Sequence, residues 1–167
     1  MTIRKITTFP ADVLRTKAKE VKVFDDKLQQ LIDDMVVTMR DAPGVGLAAP
    51  QIGVAKKVIV VEFGHESDEN IPKQLYVVVN PEIVHKSEKT VAGVEGCLSV
   101  PGIAGEVNRA SVITIRGQDP KGQKIKIRAQ GWLARIFQHE TDHVNGILYT
   151  DRADTLWQPD AEETDSI

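Results

Sequence analysis

Gln130-Gly131-Trp132-Leu133-Ala134-Arg135-Ile136-Phe137-Gln138-His139-Glu140-Thr141-Asp142-His143-Val144-Asn145-Gly146 is the stretch on which the reading of this chain turns. On a helical wheel Leu133, Ile136, Phe137, Glu140 and Val144 share one arc, and Trp132, Ile136, His139 and His143 share the arc beside it. Only Ala134, Arg135, Gln138, Thr141 and Asp142 remain for the other side. An apolar arc this wide predicts a central helix over 130–145, covered on both flanks and closed by Gly146. Within it His139-Glu140-Thr141-Asp142-His143 spells H-E-x-x-H. Two histidines four residues apart lie on one helix face, so both imidazoles can reach one metal. Glu140 projects close by and can act as a base toward water that the metal activates. With four His and eleven Glu in the chain, chance supplies about 0.006 such matches. The bland alternative is a solvated helix face that happens to carry two histidines. Against it, Glu140 sits among apolar neighbours, where a lone carboxylate is costly unless partnered.

Two histidines leave a metal site incomplete. In one group of zinc proteases a downstream Glu completes it, and Glu163 stands at the right distance. That residue follows Pro159 in an acidic stretch with little to pack, so it is a poor ligand. The longer pattern H-E-x-x-H-x-x-G-x-x-H matches through Gly146 and then fails, because Tyr149 occupies the position of the third His. The methionine turn that accompanies that pattern is missing too, since the only methionines are Met1, Met35 and Met39. Cys97 remains, in Glu95-Gly96-Cys97-Leu98-Ser99. A lone cysteine is usually a small buried hydrophobe. This segment, however, is too polar and Gly-bounded to read as an ordinary core strand, and two imidazoles, a thiolate and a water complete a tetrahedral site.

Outward from this centre, residues 25–42 form the clearest amphipathic helix. Leu28, Leu31, Ile32, Met35, Val36 and Met39 make one stripe, with Asp25 or Asp26 as N-cap and Pro43-Gly44 as the stop. A low-polarity loop follows from Gly44 to Gly53. Strand patterns occupy 56–63, 74–80, 82–86, 111–118 and 124–129, the last two joined as a hairpin through Asp119-Pro120-Lys121-Gly122. The polar stretch His65–Pro72 reads as a surface loop. The expected fold class is α+β: antiparallel β-sheets packed around a central metal-binding helix, with an N-terminal amphipathic helix. Residues 1–152 read as one catalytic domain, and 153–167 as an acidic, structureless tail.

Composition bounds the function classes. The 167 residues are 41% hydrophobic and carry a formal charge of −3, which suits one globular domain and disfavours a nucleic-acid binder that works by phosphate neutralisation. The apolar runs near 58–61 and 75–79 are too short to span a bilayer, and the first ten residues have no apolar core. One cysteine excludes an internal disulfide framework. The expectation is an intracellular protein with no membrane partner.

Three segments together carry a specific resemblance. Gly44-Val45-Gly46-Leu47-Ala48-Ala49-Pro50-Gln51, Glu95-Gly96-Cys97-Leu98-Ser99 and Gln138-His139-Glu140-Thr141-Asp142-His143 resemble, in order and spacing, the three motifs of the peptide deformylases. The resemblance covers roughly residues 1–152. It implies removal of the formyl group from the N-terminal formyl-methionine of new polypeptides, with release of formate. It also implies that Cys97, His139 and His143 hold the metal, Fe²⁺ in the cell and Zn²⁺, Ni²⁺ or Co²⁺ after purification. Glu140 would be the general base and then the acid. The side-chain amide of Gln51 and the backbone N–H of Leu98 would stabilise the oxyanion. Gly46 would align the peptide through its backbone. Trp132 stands where the family usually has a smaller aliphatic residue in the methionine pocket, so it is the candidate for shaping substrate choice. Thr141 departs from an apolar position of the family, and the basic C-terminal helix through which some members touch the ribosome is missing. The implied partners are N-formylmethionyl peptides and nascent chains with a transient ribosome contact, and the implied compartment is a bacterial-type cytoplasm, an organellar mature form remaining open. Two other classes compete: a zinc endoprotease, against which both established third-ligand patterns fail, and a non-catalytic module with a closed structural metal, for which a fourth ligand is lacking.

Overall fold

The structure is a computed structural model that describes residues 1–160 and 167. Helix α1 (Asp26–Asp41) starts at Asp25, whose carboxylate accepts from the Leu28 N–H at 3.0 Å. Its predicted stripe is buried against strand β1 (Gly46–Ala48) and strand β2 (Val58–Phe63). Strand β2 shows why its sequence is a near-continuous apolar run. Val58 and Val60 face the α1 cluster, while Ile59 and Val61 face the cluster that contains Ile136 and Phe137. A strand covered on both faces has no polar side to alternate with.

Strand β3 (Gln74–Lys86) pairs with β2 and carries straight through the Asn80-Pro81 point at which the sequence suggests two separate strands. The reason is a bulge. Asn80 adopts φ +53°, the register shifts there, and its side-chain amide bonds the N–H and C=O of Val21 and the Gln118 side chain. Strands β4 (Thr90–Cys97) and β5 (Val100–Ala110) form a long hairpin around the two-residue turn Leu98-Ser99. Strands β6 (Val112–Gln118) and β7 (Lys124–Gln130) form the second expected hairpin, with Ile113 and Ile115 fully buried. All pairs between named strands are antiparallel. One sheet has the order β1-β2-β3-β6-β7 and the other joins β4 and β5 to strand β8 (Thr155–Trp157).

Helix α2 (Gly131–Val144) lies against both sheets, as the width of its apolar arc predicts. Residues Ala134 to Val144 are buried without interruption. Its end is a Schellman motif: Ile147 N–H bonds Asp142 C=O, Gly146 N–H bonds His143 C=O, and Gly146 takes φ +76°. A Cβ at Gly146 would also lie 2.7 Å from the Arg15 carbonyl oxygen, so glycine is required twice over.

Two expectations are corrected. The segment around Cys97, which reads as too polar and Gly-bounded for an ordinary core strand, is the buried end of strand β4. Its polar look comes from Glu95, a buried charge with buried partners, which breaks the alternation a half-covered strand would show. The tail is not structureless from residue 153: Ala153 N–H bonds Tyr149 C=O, and Thr155–Trp157 pair with β5 as β8. The expectation for 161–166 falls outside the described residues.

Candidate metal centre and substrate cleft

His139 and His143 project from one face of α2 toward the end of β4, where the tight Leu98-Ser99 turn presents Cys97. The Nε2 atoms of the two imidazoles are 3.2 Å apart, and Cys97 Sγ is 3.4 Å from His143 Nε2. The three ligand atoms lie within 4.8 Å of one another, and all three residues are buried. Two facing imidazole nitrogens and a thiol can share few protons among them, so by themselves they satisfy one another poorly. A divalent cation fits this donor set of two nitrogens and one sulfur. Burial lowers the pKa of His143 well below the ordinary value. Burial acts on His139 in the same sense, but its hydrogen bonds to Cys97 and Glu95, which favour the protonated ring, outweigh it and raise the value to about 10.

Glu140 lies beside this cluster, fully buried, and neither carboxylate oxygen has a hydrogen-bond partner among the described residues. Burial is the main reason its pKa is pushed up to about 7, with the neighbouring His139 pulling the other way. The space for its carboxylate exists because residue 46 is glycine. A Cβ at Gly46 would lie 2.5 Å from Glu140 Oε2. A backbone role for Gly46 is legible from sequence; this steric one is not.

The Ala49–Ile52 turn positions Gln51. Its side-chain oxygen accepts from the Ala48 N–H at 3.0 Å, which leaves the NH₂ group facing Cys97 Sγ at 3.6 Å and Ser99 Oγ at 3.1 Å. Leu98 is the residue after Cys97, at the hairpin turn. Val45 and Leu98, the chain neighbours of Gly46 and Cys97, line a cleft of about 720 Å³ whose wall includes Phe63, His65, Glu66 and Trp132. Ile167 lies in the same cleft, buried, and donates its N–H to Gly96 C=O at 3.1 Å. The structure thus brings together every site residue read from the sequence, with Trp132 in the cleft wall.

It also adds residues that sequence reasoning did not assign. Glu95 Oε1 is 2.8 Å from His139 Nδ1, and the same carboxylate accepts from Arg109 and from Arg135. Burial alone would raise the Glu95 pKa; the Arg109 and His139 hydrogen bonds override it and hold the carboxyl far below its usual range. Arg109 and Arg152 both pair with Asp142. Tyr149, at the position where a longer zinc motif would need its third histidine, stacks on the His139 ring at 5.9 Å and donates its hydroxyl to Ile103 C=O. The available signal was a Glu, an Arg and an Asp in segments otherwise fit for a core. Their partners are 10 to 44 residues away, too far along the chain for a local pattern to reveal.

Known proteins share this architecture and sequence. The sequence model described as polypeptide deformylase matches residues 3–158. A peptide deformylase of Symbiobacterium thermophilum is 51% identical over 156 residues, covering 93% of this chain and 69% of that protein. The crystal structure of peptide deformylase from Thermotoga maritima superposes with a TM-score of 0.84 at 38% identity, covering 93% of this chain and all of that one. A class I type b peptide deformylase from Acinetobacter baumannii, crystallised with Met-Ala-Ser bound, has a TM-score of 0.84 at 37% identity and covers 90% of this chain and 98% of that one. The extent of these matches, on a fold that gathers all three motifs around one buried donor set, means that the chain belongs to the polypeptide deformylase family, hydrolases that remove the N-terminal formyl group from nascent polypeptides.

Proposed function

We propose that Cys97, His139 and His143 hold a divalent metal, iron(II) in the cell, and that Glu140 moves the proton in hydrolysis of the formyl amide. The observation that carries this reading is the convergence of three ligand atoms within 4.8 Å beside a buried carboxylate with no hydrogen-bond partner among the described residues. A metal bound there supplies Lewis-acid activation of water at neutral pH. Glu140 accepts the proton of the attacking water and passes it to the leaving amine nitrogen, a transfer that a buried, unpaired carboxyl is suited to make. The Gln51 NH₂ group, held in place by Ala48 and Ser99, donates to the oxyanion together with the Leu98 N–H. The backbone of Gly46, on an edge strand of its sheet, aligns the peptide, and Trp132 bounds the space for its first side chain. The Met-Ala-Ser bound to the Acinetobacter relative supports a methionine-led peptide as the ligand of this cleft. The enzyme meets nascent chains in the cytoplasm, in transient contact with the ribosome, and its catalytic unit extends past residue 152 to include β8.

The experiment is formate release from formyl-Met peptides with metal analysis on the same sample. Glu140→Gln is expected to retain metal and fold while turnover falls at least about a hundredfold, the lower end of what general acid–base help contributes. Turnover near wild type would remove Glu140 from the reaction. Cleavage of an unblocked protein such as casein would favour the endoprotease reading instead.

A further inference from the structure

Arg135 is almost completely buried one helical turn before His139, and the proposed chemistry does not use it. Its Nη1 donates to Glu95 Oε2 at 2.6 Å and to Val107 C=O at 3.0 Å, and its Nη2 donates to Val91 C=O at 2.7 Å. The guanidinium thereby joins both strands of the β4–β5 hairpin to α2. It also lies over the Trp132 ring, 5.5 Å from the centroid.

The Glu95 carboxylate has about four lone-pair sites, and four donors meet them. Oε1 faces Arg109 Nη2 and His139 Nδ1, while Oε2 faces Arg109 Nε and Arg135 Nη1. A carboxylate bonded on every side cannot turn. Facing it, His139 must present Nδ1–H, which leaves its Nε2 lone pair for a cation. Arg109 fills one lone-pair site on each oxygen through Nε and Nη2, so the second site on Oε2 is closed by Arg135.

We propose that Arg135 is a positioning residue of the metal centre, closing the last open side of Glu95 so that His139 is held in its ligating tautomer and orientation. This rests on the metal-binding role assigned above to Cys97, His139 and His143. Gly93 is part of the same device. It lies on β4 opposite Val107, and a Cβ there would be 2.7 Å from Arg135 Cζ and 2.8 Å from Nη2. The guanidinium reaches Glu95 through the space that the missing side chain leaves.

The test uses the full chain loaded with cobalt(II), reading the thiolate-to-cobalt absorption band and the rate of metal loss to a chelator, well below each variant's melting temperature. Arg135→Met is expected to release metal about tenfold faster or more, in line with the effect of partners behind metal-ligating histidines. Arg135→Lys should fall between the two. Gly93→Ala leaves every charge in place but crowds the guanidinium, so it should shift release in the same direction, and it decides the matter alone if Arg135→Met does not fold. A folded Arg135→Met or Gly93→Ala protein that releases cobalt within twofold of wild type overturns the proposal, whatever its melting temperature. Absence of the thiolate band from the wild-type protein would instead overturn the metal centre itself, and the role of Arg135 with it.

Discussion

At the scale of single residues, the centre depends on atoms that are missing as much as on those present. Gly46 leaves the room in which the Glu140 carboxylate sits. Gly46→Ala is therefore expected to displace that carboxylate and to cut turnover by about a hundredfold or more, comparable to loss of the acid–base group, with metal content unchanged. Parallel formate-release and metal measurements check it; activity within tenfold of wild type would mean that the strand yields and the carboxylate stays put. The two proposed histidine ligands were legible because their logic is local: His139 and His143 are one turn apart on a helix, and a helix is periodic. Cys97 was reached as the thiolate that completes a site two imidazoles leave open, while Gln51 needed the resemblance to a family. Glu95, Arg109 and Arg135 were not legible in their roles, because a buried charge is intelligible only beside its partner, and those partners come from other strands and another helix.

At the scale of elements, β8 and Ile167 separate two functions within what the sequence presents as one acidic tail. Thr155–Trp157 pair with β5, while the side of β5 that they cover includes Gly105, where a Cβ would meet Leu156, Ala153 and Tyr149. Ile167, by contrast, lies in the cleft and bonds Gly96. A chain shortened after Pro159 is expected to keep its melting temperature and kcat while its KM for short formyl-Met peptides falls. A chain shortened after Asp154 should lose roughly 1–3 kcal/mol of stability, the range of single defined structural losses, seen as a drop of about 2–12 °C by calorimetry. An unchanged KM in the first case would show that Ile167 yields to substrate at no measurable cost. The short β8 escaped the sequence reading because three residues cannot display a period, and β4 and β5 escaped it because their glycines and buried charges mask alternation. Helices α1 and α2, with many turns and clear stripes, were read to within a residue or two at each end.

At the scale of the molecule, two sheets close on one helix, and their relation explains why the chemistry sits where it does. The five-stranded sheet supplies Gly46 at its edge, the three-stranded sheet supplies Cys97 at its hairpin turn, and α2 brings the histidines and Glu140 to the seam between them. The fold class was readable from the order of elements, but the assignment of β4, β5 and β8 to a separate sheet was not, since it depends on pairings far apart in sequence. The consequence of a helix with eleven successive buried residues is evolutionary. From Ala134 to Val144 no position faces water, so no drift is free there. A saturation library selected for growth on deformylase activity should show an unbroken block of intolerance across 134–144, with the exposed stretch 67–72, beyond the cleft-lining His65 and Glu66, accepting almost any side chain. A tolerant position inside that block, aside from near-isosteric exchanges, would show that one side of the helix is less closely held than its burial indicates. Escape from an inhibitor directed at this centre would then have to arise around the cleft rim, because the helix proposed to carry the reaction offers, beyond exchanges such as the one at Thr141, few positions free to change.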